Sequence, residues 1–273
     1  MRERGSGRAG LTPTDYLSMG VRPDVLQPGP RLRHLLLETA VKSFGLWLLA
    51  IFCSGVSGQS TSSLESEFAS EVDLHLQLSP SLRLLIYPGL EQGTSFSYHQ
   101  VYGAAGIGYQ LKQIAKPHLE NIDPDKERYF VFAAGYEYLR TSQSGKTTDE
   151  DRVVLDGTLG FRPISGILTR DRSWIELRWV NRKYSTRYRN RLILEQDFVT
   201  HGLRWTPYAF AEVFYDGSKS SWNQEWFSGG VQWPYKKRFM LDTHYRRQHC
   251  TTCNPTDVNL AGVALNFYFG KRK

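Results

Sequence analysis

From Glu71 the chain alternates strictly. Val72, Leu74, Leu76 and Leu78 are apolar and Glu71, Asp73, His75 and Gln77 polar, so the apolar side chains share one face of a strand. A Ser79-Pro80-Ser81 turn follows, and Leu82 to Tyr87 begins a second strand. The same period of two predicts strands over 103–115, 128–141, 151–163, 172–184, 187–198, 207–216, 223–233, 237–248 and 257–269, which with 71–78 and 82–87 makes eleven. Turn residues separate them: Asp123-Pro124-Asp125, Ser144-Gly145-Lys146, Asp216-Gly217-Ser218, Trp233-Pro234-Tyr235 and Asn254-Pro255. No segment offers a helical stripe long enough to cover a sheet, so these strands must bury their apolar faces on each other or on lipid.

The polar face separates those options. Between 172 and 195 one set of alternate positions in each strand carries Arg172, Glu176, Arg178, Arg182, Arg187, Arg189, Arg191 and Glu195, and the other carries Ile175, Leu177, Trp179, Tyr188, Leu192 and Leu194. Paired arginines and carboxylates suit a crowded lumen, because a planar guanidinium can hold two carboxylates at once. Strands of 11 to 14 residues match what a tilted strand needs to cross a bilayer. Tyr129, Phe130, Trp174, Tyr208, Tyr215, Trp222, Trp226, Trp233, Tyr235 and Tyr268 fall near strand ends, where interfacial girdles are expected. The last strand ends on Leu265, Phe267 and Phe269 with Tyr268 beside them, the form that outer-membrane assembly machinery reads, although Gly270 to Lys273 extend past it.

The amino-terminal region follows a different grammar. Arg31, Arg33 and Lys42 precede an apolar stretch from Phe44 to Cys53, and small residues run from Ser54 to Gly58, the layout of a cleavable secretory signal over 31–58. Residues 1–30 are expected to be a disordered leader, or one whose true start is Met19, and 59–70 to be a polar tether. A lipoprotein signal ending at Cys53 is disfavoured by Phe52 before it. The mean hydropathy of −0.43 argues against spanning helices. The net charge of +7 shrinks once the first 58 residues are set aside, leaving 27 basic against 23 acidic residues. That balance is too mild for a nucleic-acid partner.

Several stretches then resemble a known family: RYRNRLILE (Arg187 to Glu195), TPYAFAEVFYD (Thr206 to Asp216), the Gly229-Gly230-Val231 centre of the next strand, and LDTHYRRQ followed by NLAGVALNFYF. They are similar to the bacterial outer-membrane barrels called domain of unknown function 2490, over roughly Glu71 to Phe269. The resemblance implies a single-chain β-barrel in the Gram-negative outer membrane, with no established substrate or reaction. The fold class expected is therefore all-β: one antiparallel up-and-down transmembrane β-barrel over 71–273. Since such barrels carry even strand numbers and the pattern yields eleven, the expectation is 10–12 strands, with 12 preferred.

Candidate chemistry is sparse. Glu212, with Tyr208, Phe210 and Phe214 on its own parity, is read as a lumen acid facing Arg189, Arg191 or Arg204, more a structural ion pair than a gate. The expected lumen network is Glu176, Arg178, Arg182, Arg187, Arg189, Arg191, Glu195 and Glu212. Cys250 and Cys253, in an oxidising compartment, are read first as a disulfide; a zinc site recruiting His249 and His244, or a free redox pair, are the other readings. Asp242 and His244 share a face and Ser228 sits on the preceding strand, but no nucleophile motif surrounds Ser228, so a hydrolase is not expected. The Gly-rich GAAGIGY from Gly103 to Tyr109 lacks phosphate-loop context and points to close strand packing. No cofactor and no metal are expected. Outer-membrane lipid, and barrel-assembly machinery during biogenesis, are the expected partners of a monomer. The expected function is that of an integral outer-membrane barrel of unknown cargo, structural or narrow-pore; an interfacial lipid-modifying enzyme and a soluble periplasmic β-sandwich or β-barrel binding protein stand as the alternatives.

Overall fold

A computed structural model describes residues 64–93, 98–113, 123–164, 166–236 and 238–270. The chain divides into units at Val56 and Ser57, and the first, together with the segments read as a leader (1–30) and a signal (31–58), lies outside the described residues. In chain order the elements are β1 (Leu64–Ser79), β2 (Leu82–Gly93), β3 (Tyr98–Gln113), a 3-10 turn η1 (Pro124–Glu127), β4 (Arg128–Gln143), β5 (Lys146–Ile164), β6 (Ile167–Val180), β7 (Lys183–Gln196), β8 (Phe198–Thr200), β9 (Leu203–Asp216), β10 (Ser221–Tyr235), β11 (Phe239–Cys250) and β12 (Asp257–Phe269). The first strand starts before the alternation at Glu71, so Leu64–Ser70 of the segment read as a tether is strand.

Each of these strands except β8 pairs with the next in the chain, and β7 passes directly to β9, while β8 pairs only with β9 as a short appended hairpin. Pairing of β1 with β12 closes the ring, and this is its one parallel pair among the described strands, running from Leu64 opposite Asp257 to Leu76 opposite Phe269. The reason is directional. A meander reverses at every turn, so in a ring of eleven the first and last strands run the same way and can meet only in parallel. The preference for an even ring therefore gives way: the pattern's eleven strands are the ring, and β8 makes twelve in all. The ring is mixed rather than wholly antiparallel.

Two-residue hairpins set the register. Ser144-Gly145 and Asn181-Arg182 both adopt positive φ, at 50 and 77° and at 47 and 68°, as the strand twist requires of a tight hairpin. Across Asn181-Arg182 the inward parity changes from even on β6 to odd on β7, because Val180 pairs with Lys183. That switch keeps both sets of arginines on one side. Outward positions expose a band of large apolar groups that includes Phe68, Ile86, Ile107, Phe132, Leu155, Ile175, Leu192, Val213 and Phe227. Buried positions are instead rich in Glu, Asp, Arg and Thr. The apolar side chains thus face outward and the charged ones fill the middle, the inverse of a water-soluble barrel.

A charged lumen as the candidate functional site

The wall formed by β5, β6, β7 and β9 carries a lattice of ion pairs. Glu212, buried on β9, accepts from Arg189 Nε at 2.7 Å and from Arg191 Nη2 at 2.7 Å. Glu176 lies one step along, accepting from Arg187 Nε at 2.6 Å and Arg189 Nη1 at 2.8 Å. Arg189 therefore bridges two carboxylates, as a planar fork can. Toward the Ser144-Gly145 end, Glu150 takes Arg178 and Arg152, each at 2.5 Å, and Arg152 also reaches Glu137 at 3.0 Å. Arg172 donates to Asp156 at 2.6 Å. These guanidiniums lie over rings: Arg172, Arg189 and Arg191 surround Trp174 at 3.9, 4.6 and 4.9 Å, and Arg191 covers Phe210 at 4.1 Å. Inward aromatics on β9 explain why its outward face is Ala209, Ala211 and Val213.

A stopper reaches across one end, from β2 to β7 and β10. Just before β4, Asp123 and η1 lie within the ring, with Lys126 against Glu195 and on Gln232 Oε1 at 2.6 Å. Arg83 on β2 holds Asp123 at 2.9 Å and also Asp125, which Gln110 contacts as well. Arg83, Gln110, Lys126 and Glu195 are all buried. Arg170 adds a second cation to Glu195 at 2.6 Å. Burial raises the Asp123 carboxyl, but Arg83, aided by Arg170 and Lys126, overcomes this and brings it down to about 2.

Above the stopper lies a cavity of about 670 Å³, lined from Asp123, Arg83, Gln232 and Asn266 at its floor to Gln143, Cys253 and Asn254 at the opposite end. Its second wall, from β1, β2, β3, β11 and β12, differs from the lattice. Glu67, Glu71 and Asp73 follow one another on the inward parity of β1, and Glu71 accepts from Tyr102 at 2.7 Å. On that wall Arg246 pairs with Glu91 at 2.9 Å and lies over Trp226 at 4.2 Å. Gly230 leaves room here for Tyr208, whose hydroxyl donates to Asp242 at 2.8 Å; a Cβ on Gly230 would sit 2.7 Å from that oxygen.

The structure thus brings together Glu176, Arg187, Arg189, Arg191 and Glu212, sets Arg178 beside them on Glu150, and places Glu195 apart, at Lys126 and Arg170 of the stopper. It excludes Arg182, which sits exposed at the tip of the β6–β7 hairpin because that hairpin needs two positive-φ residues there. Trp174, Tyr208, Trp226 and Tyr268 line the interior instead of joining a girdle, whereas Trp222, Trp233 and Tyr235 are exposed. Arg204 pairs with Asp197, not Glu212. Cys250 and Cys253 are joined as a disulfide at the cavity mouth, with Cα atoms 5.3 Å apart, while His249 faces Asp257 and His244 faces Asp242. Ser228 donates its hydroxyl to the Tyr245 carbonyl at 2.8 Å. Glu137, Glu150, Arg152 and Asp156 were legible in the parity of β4 and β5. Lys126 was not, since a turn residue has no parity to place it.

Residues 124–259 match the model of the family described as "Protein of unknown function (DUF2490)". No curated protein matches the chain. Among solved structures, LpxR from Salmonella typhimurium is similar at a TM-score of 0.44 and 8% identity, over 71% of this chain and 86% of that one. The closed ring, with apolar groups outward and charges inward, is an outer-membrane-type β-barrel. Over residues 124–259, the stretch holding η1 and the whole arginine lattice, the chain belongs to the DUF2490 family of proteins of unknown function.

Proposed function

We propose that this chain is an integral outer-membrane barrel whose lumen is a blind, charge-lined cup rather than an open diffusion pore. The observation that carries this is the stopper: a buried Lys126 tied to Glu195 and Gln232, with Arg83 gripping both aspartates of the turn, stands across the lumen. With the end of β12 at the periplasm, the stopper lies on that side and the disulfide-bearing mouth opens outward. The apolar outward band supports the membrane placement. The lattice ties β5, β6, β7 and β9 together across the lumen side of the wall, a structural role. We read the barrel as non-enzymatic, because Ser228 is engaged by a backbone carbonyl and His244 lies beside Asp242 in the lumen, away from any lipid bond.

The test combines fractionation with conductance. The protein is expected in outer-membrane fractions, migrating differently in detergent gels before and after boiling, and silent in planar bilayers. Arg83→Ala combined with Lys126→Ala, still heat-modifiable, is expected to give discrete current steps. A steadily conducting wild-type barrel would overturn the cup, and recovery in the soluble fraction would overturn the membrane reading.

A further inference from the structure

The outward faces of β6 and β7 interrupt the apolar band. Arg172 and Arg191 point into the lumen, so the intervening positions Asp171, Ser173 and Asn190 point out. There they bond to one another: the Asn190 amide donates to Asp171 at 2.7 Å and to Ser173 at 3.1 Å, and Ser173 meets the Tyr188 hydroxyl at 3.1 Å. The cluster occupies the middle of both strands, and exposed Leu159, Ile175, Leu192 and Val213 surround it. The outward acids Asp149 and Asp151 are different: they sit near the start of β5, bonded to Tyr138 and Tyr136, within reach of water at the membrane surface. A carboxylate in mid-strand has no such recourse, and in hydrocarbon polar groups of this kind face protein.

We propose that the outward faces of β6 and β7 form a two-fold contact between two copies of this chain in the membrane, joined through Asp171, Ser173, Tyr188 and Asn190. The patch is self-complementary. Within one copy both Asn190 amide hydrogens and one of the two hydroxyl hydrogens are used, which leaves one hydroxyl hydrogen to donate and the second Asp171 oxygen to accept, so rotation by half a turn sets each copy's carboxylate against the other's hydroxyl, as an isologous contact demands. Gly157 opposite Ser173 and Ala211 opposite Leu192 are small and outward-facing, which lets two walls approach closely. The dimer rests on the membrane reading and replaces the monomer expected from the sequence.

The experiment places single cysteines in the full chain, Ser173→Cys at the patch and Val101→Cys on the outward face of β3, and oxidises intact outer membranes. Ser173→Cys is expected to give mostly covalent dimer and Val101→Cys at least tenfold less. Asp171→Leu with Asn190→Leu is expected to convert a detergent-solubilised dimer to monomer by light scattering. Heat-modifiable migration, read on the same samples, tests the membrane barrel separately. A wild-type monomer without Ser173→Cys cross-linking, equal cross-linking at both sites, or a monomer carrying a tightly held phospholipid at the patch would each overturn the contact.

Discussion

The two halves of the lumen use the same acidic side chains to opposite effect. On the β5–β9 wall Glu150, Glu176 and Glu212 each lie between two guanidiniums, and those of Arg187, Arg189 and Arg191 in turn rest on Trp174, Phe210 or Phe214. On the β1 wall Glu67, Glu71 and Asp73 stand in sequence on one face, where Tyr102 supplies a hydrogen bond to Glu71 and Arg246 is engaged by Glu91. Charge alone therefore does not say what an acid does in this barrel; its nearest cation does. Both walls border the cup, but one is locked by its ion pairs and the other is not.

Changing an acid to its amide on each wall tests that contrast, and the largest effect is expected at Glu212. Glu212→Gln leaves Arg189 and Arg191 sharing a neutral oxygen in a buried site, which should cost about 3 kcal/mol or more of unfolding free energy. Tryptophan fluorescence during denaturant unfolding in detergent measures it. Adding Arg191→Met should return most of the loss, because Arg189 keeps Glu176. A cost below about 1 kcal/mol would mean the lattice is decoration on a barrel held by its backbone ladder alone.

Much of this wall was legible in advance. Period-two alternation located the strands, and their eleven-fold count held in the ring, because alternation is a direct imprint of one face in lipid and one in the lumen. Parity assigned Glu176, Arg187, Arg189, Arg191 and Glu212 to one side. It misplaced Arg182, since parity cannot tell a strand residue from a hairpin tip one step beyond it. It could not see the parallel seam either, which follows from counting directions around a closed ring and leaves no local mark on β1 or β12. The stopper was hidden for a related reason: Asp123-Pro124-Asp125 reads as any acidic turn until Arg83, forty residues earlier in the chain, is known to stand beneath it.

The stopper bridges the two walls, with Arg83 on one and Glu195 on the other, and its grip should depend on acid. Asp123 is held at about 2, below its ordinary 3.8, so the contact is fully present above pH 4 and is lost as pH falls through about 2. The stabilisation at stake is about 2 kcal/mol. Bilayer recordings from pH 5 down to 2.5 should show rising openings for the wild type, while Asp123→Asn should open more often throughout and respond little to pH. A pH response unchanged in Asp123→Asn would assign the acid sensitivity elsewhere.

The smallest effect is expected on the unlocked wall, and there the sign is the informative part. Asp73 shares its face with Glu71 two residues away, and its Oδ1 is buried without a hydrogen-bond partner. Asp73→Asn relieves the crowding of two neighbouring buried carboxyls and supplies an amide that Glu71 can accept from, so stability should stay level or rise by up to about 1 kcal/mol. The same denaturant series run beside Glu212→Gln decides the matter. If Asp73→Asn costs as much as Glu212→Gln, the β1 acids are held as tightly as the lattice, and the division of the lumen into a locked and an unlocked wall fails.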